Sequence, residues 1–239
     1  MSVLSVVIPA YNEARFIGTL IERIAAVDLS PLGFTKELIV VDDKSTDRTA
    51  EIVAAIPGVR LIRQDKNGGK GRAVRAGIAA ATGELLIIQD ADLEYDPQDY
   101  LPMLQAFLGG NADIVYGSRY LGRGPSTWLG TGRHANQSLT AYLGGRSLSL
   151  VAWLCTGTYL TDTVTAFKLF RRAELAALPL ETTGFELDHE ITARMLARGK
   201  TIVEVPIRYY PRSRAEGKKI GARDWLVALK TFWRYGRRA

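Results

Sequence analysis

Cysteine and histidine are almost missing from this 239-residue sequence, which holds one cysteine, Cys155, and two histidines, His134 and His189. A single thiol excludes an internal disulfide framework and a cysteine-built metal centre, and two histidines exclude a histidine-rich metal site. Long hydrophobic runs are missing too. The longest, SLSLVAWLCTGTYL at residues 147–160, carries several hydroxyls and follows Arg146, whereas a membrane span needs about 20 apolar residues; it reads as a buried or interfacial helix. No charged-then-apolar signal segment opens the sequence, and no repeat or low-complexity tract interrupts it, so a reducing, cytoplasmic setting is expected. Nucleotide motifs of the commonest kinds are also lacking. NGGKGRA does not have P-loop spacing, no strand-linked G-x-G-x-x-G occurs, and neither histidine accompanies a nucleophile elbow.

What is present is a chain that is 47% hydrophobic, enough for a substantial core. Residues 3–8 form an apolar run stopped by Pro9, followed by Ile17, Leu20, Ile21 and Ile24 at helical spacing. Residues 37–41 repeat the pattern, with Ser45, Thr46 and Asp47 as helix-capping types before Ile52, Val53 and Ile56. Strands follow at 59–63, 85–90 and before Gly117, and the third leads through NGGKGRAVRAGI into a helix with Val74 and Ile78 inward. Apolar strands alternating with amphipathic helices predict a mostly parallel, doubly wound α/β sheet flanked by helices. Beyond residue 118 the text is less regular: a Gly-rich loop at 122–132, a helical stretch near 135–154, strands in TAFKLFRR and IVEVPIRYYP, and a helix in ELDHEITARMLARG. A last helix, DWLVALKTFWRYGRR, places Trp225, Leu229, Phe232 and Trp233 on one face among basic residues. That is the pattern of a basic amphipathic helix at a membrane interface, or of an ordinary packed terminal helix.

Charge is distributed unevenly. Residues 205–239 carry ten Lys and Arg against two acids, or +8, so with a net charge of +6 the remaining 204 residues carry −2. A basic end predicts an anionic partner. The polar residues of the first half fall after successive strands: Tyr11 to Glu13, Asp42 and Asp43, Asn67 to Gly71, and Asp90 to Asp96, which is the ligand-binding edge of such sheets. In QDADLEYDP, Asp90, Asp92 and Glu94 would point to one side of an extended chain, where a hard cation such as Mg²⁺ or Mn²⁺ takes carboxylate and phosphate oxygens. Asp96, next to Pro97, reads as a helix N-cap. Lys70 would either meet a phosphate or face solvent. A sugar nucleotide or nucleoside triphosphate is implied.

Taken in order, VVIPAYNE, VVDDKSTDRT, NGGKGRAVRAGI, QDADLEYDP, GSRY, GFELDHEI and RSRAEGKKIGARDW resemble the inverting glycosyltransferases of family 2, which have the GT-A fold. More narrowly they resemble polyprenyl-phosphate hexosyltransferases, the dolichol-phosphate mannose synthase group. The resemblance implies a single GT-A domain over residues 1–212, with a nucleotide-binding half at about 1–117 and an acceptor half at about 118–212, then a basic amphipathic segment at 213–239. It places the nucleotide sugar on Pro9, Ala10, Tyr11, Glu13, Val41, Asp43, Lys70, Asp90, Ala91 and Asp92. It puts a metal at Asp92, Glu94 and Asp90, and the catalytic set at Asp92, Arg119, Asp188, Arg212 and Lys218. Lys44 and Ala166 depart from it, since the family usually has Gly or Asn at the first and Gly at the second, where a side chain restricts the backbone.

The implied reaction is transfer of a hexose from a UDP- or GDP-sugar to a polyprenyl monophosphate with inversion, supported by Mg²⁺ or Mn²⁺. Arg119, Arg212 and Lys218 would hold the phosphates, as would Lys168. The expected partners are the donor, the lipid acceptor and a membrane surface or membrane-protein partner at the cytoplasmic face, with no nucleic acid. Two alternatives stand beside it. A hydroxyl acceptor would need a carboxylate base, for which Asp188 is the candidate, and a non-catalytic nucleotide-binding module would use the basic tail only for docking.

Overall fold

The structure is a computed structural model that describes residues 1–121, 139–211 and 222–236. Its first strand, β1 (Ser2–Ala10), alternates Leu4, Val6 and Ile8 towards one core with Val7 towards another. An apolar strand with no polar face must be covered on both sides, and two helical layers do so. On one side lie α1 (Ile17–Ala25), α2 (Thr49–Ala54) and α4 (Tyr100–Leu108). On the other lie α3 (Lys70–Ala80), α6 (Arg172–Ala176) and α7 (Leu187–Ala197). Ile17, Leu20, Ile21 and Ile24 of α1 and Val74 and Ile78 of α3 are all buried, as their spacing predicts.

One seven-stranded sheet runs through the molecule in the order β3-β2-β1-β4-β6-β5-β7. Its members are β1, β2 (Phe34–Asp42), β3 (Val59–Arg63), β4 (Leu85–Ile88), β5 (Ile114–Ser118), β6 (Lys168–Arg171) and β7 (Ile202–Pro206). All neighbours are parallel except where β6 runs against β4 and β5. The strand in TAFKLFRR is therefore shorter than its apolar text, beginning at Lys168. The strand expected through 202–211 stops at Pro206, whose ring cannot extend the ladder. Beyond it Tyr209 forms an isolated antiparallel bridge with Tyr95.

Two further helices, α5 (Leu139–Thr156) and α8 (Ala222–Tyr235), pack together and against α7 through Ala152, Ala193 and Phe232. The shared apolar face expected of α8 divides: Phe232 is buried, whereas Trp233 is 63% exposed. Consecutive helical residues point about 100° apart, so only one of the two can face α7. Among the described residues no helix is long and apolar enough to cross a membrane.

Candidate active site

Parallel strands that end in register bring their following loops to one edge. Ala10 lies opposite Asp42, Asp42 opposite Arg63, and Val7 opposite Ile88. Because β6 is antiparallel, its first residue, Lys168, lies at the same edge, opposite both Ile88 and Tyr116. The loops after β1 and β2 are bonded together: the amides of Asn12, Glu13 and Ala14 donate to Ser45 Oγ, Thr49 Oγ1 and Asp47 Oδ2 at 3.0, 2.9 and 3.0 Å. Thr46 N returns a bond to Asn12 Oδ1 at 2.8 Å. Tyr11 and Glu13 stand in that loop beside Pro9 and Ala10 at the end of β1, and Val41 pairs with Pro9 inside the sheet. Lys44 has a φ of 64°, the left-handed region in which glycine or asparagine costs least; this is the backbone reason for the family's residue there. Ala166, at the other departure, has a negative φ and donates its amide to Tyr95 Oη at 3.3 Å.

Asp43, expected to accept from a base or ribose, is buried and already accepts from the amides of Gly68 at 2.8 Å and Gly69 at 2.7 Å. It therefore ties the glycine-rich loop to the end of β2. On its other side that loop touches residues 182–184, with Gly71 N and Arg72 N donating to Thr183 O at 2.7 and 3.2 Å. Glycine is required at this approach: a Cβ on Gly69, whose φ is +85°, would stand 2.5 Å from Thr183 O, and one on Gly71 2.8 Å from Thr182 O.

Lys70, held between those glycines, neither faces solvent nor stands open to a phosphate. Its Nζ lies 2.8 Å from Asp90 Oδ1 and 3.1 Å from Asp188 Oδ2. Lys168, fully buried, lies 3.5 Å from Asp188 Oδ1 and donates to the Asp188 carbonyl at 2.7 Å. Burial pulls the Lys168 ammonium down to about 8 against the attraction of Asp188. Burial alone would raise the Asp188 carboxyl, but Lys70 and Lys168 outweigh it and hold the group below the ordinary carboxylate range. Two cations and two anions thus form one compact, charge-balanced group where β4, β6, α3 and α7 meet.

The three acids expected to share a cation are not gathered. β4 ends at Ile88, and Leu93 takes a φ of 60°, so the extended-chain alternation that would align Asp90, Asp92 and Glu94 is broken. Asp90 meets Lys70, Asp92 Oδ1 accepts from Glu94 N at 3.1 Å, and Glu94 Oε2 accepts from Tyr209 Oη at 2.6 Å. Among the described residues no group of three acids, histidines or cysteines is placed to hold a metal ion. The donor chemistry still fits a hard cation of the kind held by one or two carboxylates and completed by phosphate oxygens; it does not fit an all-protein cage. Asp96 accepts from Gln98 N at 3.0 Å and caps the short 3-10 turn before α4, as read from the sequence. Ala91 is buried.

Arg119 was expected on a phosphate. Its Nε and Nη2 instead grip the buried Asp162, each at 2.7 Å, and its amide donates to Asp162 Oδ2 at 3.0 Å. Glu204 continues this group by accepting from Thr161 N and Asp162 N at 2.7 and 2.9 Å. Sequence reading missed Glu204, although an acid inside the apolar strand IVEVP was the available signal. Arg212 and Lys218, and the loop at 122–132, lie outside the described residues.

The sequence model described as Glycosyl transferase family 2 matches residues 5–175, well over half of the chain. The chain belongs to glycosyltransferase family 2. Among its curated relatives is a dolichol-phosphate mannosyltransferase of Pyrococcus furiosus, 32% identical over 91% of this chain and 59% of that protein. A dolichyl-phosphate hexose transferase of Haloferax volcanii is 31% identical over 88% of this chain and 84% of that one. The chain thus spans little more than half the length of the first relative and most of the second. Solved structures share the GT-A fold: a mannosyl-3-phosphoglycerate synthase from Rubrobacter xylanophilus superposes with a TM-score of 0.72 at 19% identity, over 98% of this chain and 72% of that one. A Mycobacterium tuberculosis glucosyl-3-phosphoglycerate synthase, solved with Mn²⁺, uridine diphosphate and phosphoglyceric acid, gives 0.65 at 24% identity over 90% and 73%.

Proposed function

We propose that this family 2 glycosyltransferase moves a hexose from a UDP- or GDP-sugar to a polyprenyl monophosphate, with inversion at the anomeric carbon. The observation that carries the acceptor class is the state of Asp188. A hydroxyl acceptor must lose its proton to a base; a carboxylate held between Lys70 and Lys168 and kept below its ordinary pKa is a poor one. A phosphate monoester is already anionic near neutral pH and needs no base, only positioning and neutralisation. The names of the Pyrococcus and Haloferax relatives support the same acceptor.

Within this reading the loops after β1 and β2, with Pro9, Ala10, Tyr11, Glu13, Val41 and Asp43, carry the nucleotide in the half before residue 118. Asp92 and Asp90 would hold Mg²⁺ or Mn²⁺ through hard oxygen donors. When bound, such a cation supplies neutralisation of the departing diphosphate. Lys70 holds Asp90 in place, Lys168 holds Asp188, and Arg119, Arg212 and Lys218 complete the acceptor side in the half that follows. The exposed Leu150, Trp153 and Leu154 of α5, with Leu226 and Trp233 of α8, support contact with the cytoplasmic face of a membrane carrying the lipid.

The test incubates the protein and Mg²⁺ or Mn²⁺ with UDP- and GDP-sugars and a polyprenyl phosphate, beside an Asp188→Asn variant. Glycosylated lipid from at least one donor is expected, with turnover in the variant reduced but measurable and without a new acid limb in its pH profile. No glycolipid from any donor, or complete loss of turnover in Asp188→Asn with donor binding intact, overturns the assignment.

A further inference from the structure

Glu190 lies on α7 two residues beyond Asp188 and bonds to no member of the charged group, yet it is fully buried. A buried carboxylate is costly unless its oxygens are satisfied, and here every partner belongs either to its own helix or to the segment that precedes it. Glu190 accepts from Glu181 N at 3.1 Å, Thr182 N at 2.9 Å and Thr182 Oγ1 at 2.6 Å, and from Arg194 Nε at 2.7 Å. The next residue, Thr183, presents its carbonyl to Gly71 N and Arg72 N. These are first-turn amides of α3, which have no partner within their own helix. Residues 181–184 are thus held from below by Glu190 and hold the glycine-rich loop from above, while Asp43 holds that loop from the β2 side.

We propose that Glu190 is a positioning residue: through residues 181–184 it seats the glycine-rich loop and so fixes Lys70 against Asp90 and Asp188. The geometry is specific. Gly69 and Gly71 face the 182–184 backbone with no room for a Cβ, so a shift of residues 181–184 must be taken up by the loop. Lys70, between those glycines, must then move with it. Arg75 Nη1 donates to Leu180 O at 2.7 Å and ties the start of the segment to α3, and on α7 Glu190 takes the backbone amides of residues 181 and 182 while Arg194 meets the Glu181 side chain. The same segment also meets α8, since Glu181 accepts from Arg234 and Tyr235 Oη at 3.0 and 3.0 Å, besides Arg194 of α7 at 3.1 Å. The importance of Lys70 for transfer rests on the function proposed above; the seating itself does not.

Hydrogen–deuterium exchange of the intact chain tests the seating without any turnover assay. Glu190→Gln is the first variant, because one oxygen of Glu190 accepts from Glu181 N, Thr182 N and Thr182 Oγ1 while the other accepts from Arg194 Nε, and the single amide oxygen of glutamine cannot serve both sides. Gly71 and Arg72 are expected to exchange about tenfold faster, while amides of β1 and β4 keep their wild-type protection. Thr182→Val, which removes one hydroxyl bond and keeps the Glu190–Arg194 pair, is expected to give a smaller change at the same two amides, and it decides the matter if Glu190→Gln does not fold. Titration with UDP and with GDP, read by thermal shift, should show weaker binding in both variants. Unchanged Gly71 and Arg72 exchange in a folded Glu190→Gln, or a loss of protection spread evenly over the sheet, overturns the proposal. If both variants behave as expected and no glycolipid forms with any donor, the seating stands and the reaction assigned above falls.

Discussion

At the scale of single residues, burial sets the chemistry more than identity does. His189 is one of only two histidines, and it packs within α7 against Phe232 with ring centroids 5.3 Å apart. Its Nδ1 is buried without a hydrogen-bond partner among the described residues. Burial, and then the nearby Lys168, lower its pKa from 6.5 to about 4. The folded chain therefore keeps a neutral imidazole where the unfolded chain binds a proton. With the folded pKa below the unfolded one, this contribution to stability is complete above pH 6.5 and is lost as the pH falls towards 4. The steepest slope is about 1.4 kcal/mol per pH unit. Between pH 6.5 and 5, before most carboxylates titrate, urea midpoints of the wild type should fall with acidification, and those of His189→Leu should be nearly flat. A variant that keeps the full wild-type slope would place the acid sensitivity elsewhere.

At the scale of elements, sequence periodicity is reliable where a strand or helix has one environment along its length. Ile17 to Ile24 and Val74 to Ile78 lie in their cores because a 3.6-residue repeat leaves an apolar stripe no other place to go. The strands β1 and β4, buried on both faces, are legible for the same reason. The antiparallel β6 is not, because strand direction depends on the connection, and the connection here passes through α5. The acids from Asp90 to Glu94 illustrate the limit at the site: alternation held in the sequence only on the assumption of extended chain, and a left-handed Leu93 removes it. The Lys70–Asp188 pair joins residues 118 positions apart, a distance that no local pattern carries. Close approach of elements, by contrast, leaves a mark in glycine. A Cβ on Gly77 of α3 would lie 2.2 Å from Val7 Cγ1 of β1, so the helix rests directly on the central strand. Gly77→Ala is expected to destabilise by about 1–3 kcal/mol through overpacking, despite the better helix propensity of alanine. Val7→Ala should recover part of that loss in the double variant, and a thermodynamic cycle from denaturant unfolding measures the coupling. Additive losses would mean that the helix shifts away rather than pressing on Val7.

At the scale of the whole molecule, charge and exposed apolar area coincide at the end of the chain. Residues 205–239 carry a net +8 while residues 1–204 carry −2, and α8, in that basic part, packs beside α5. Leu154 on α5 is 71% exposed and Trp233 on α8 63%, on two helices that both rest on α7, the helix that presents Asp188 to the sheet edge. A lipid surface is the partner that would accept aromatic and aliphatic side chains together with Lys230 and Arg234, and under the proposed function it would bring these helices to a lipid-borne acceptor. Each apolar side chain withdrawn from water contributes about 1.5–3 kcal/mol, so Leu154→Ala and Trp233→Ala should each weaken binding to vesicles of mixed neutral and anionic phospholipid by about tenfold or more. The electrostatic part should fade as ionic strength rises from about 0.1 M to 1 M and the screening length shrinks from about 10 Å to 3 Å, leaving a residual affinity that the two substitutions remove. Co-sedimentation measures both effects on the same protein. Binding that vanishes with salt yet ignores both substitutions would assign the contact to the basic charge alone, and no sedimentation of the wild type with any vesicle would remove the lipid surface as a direct partner.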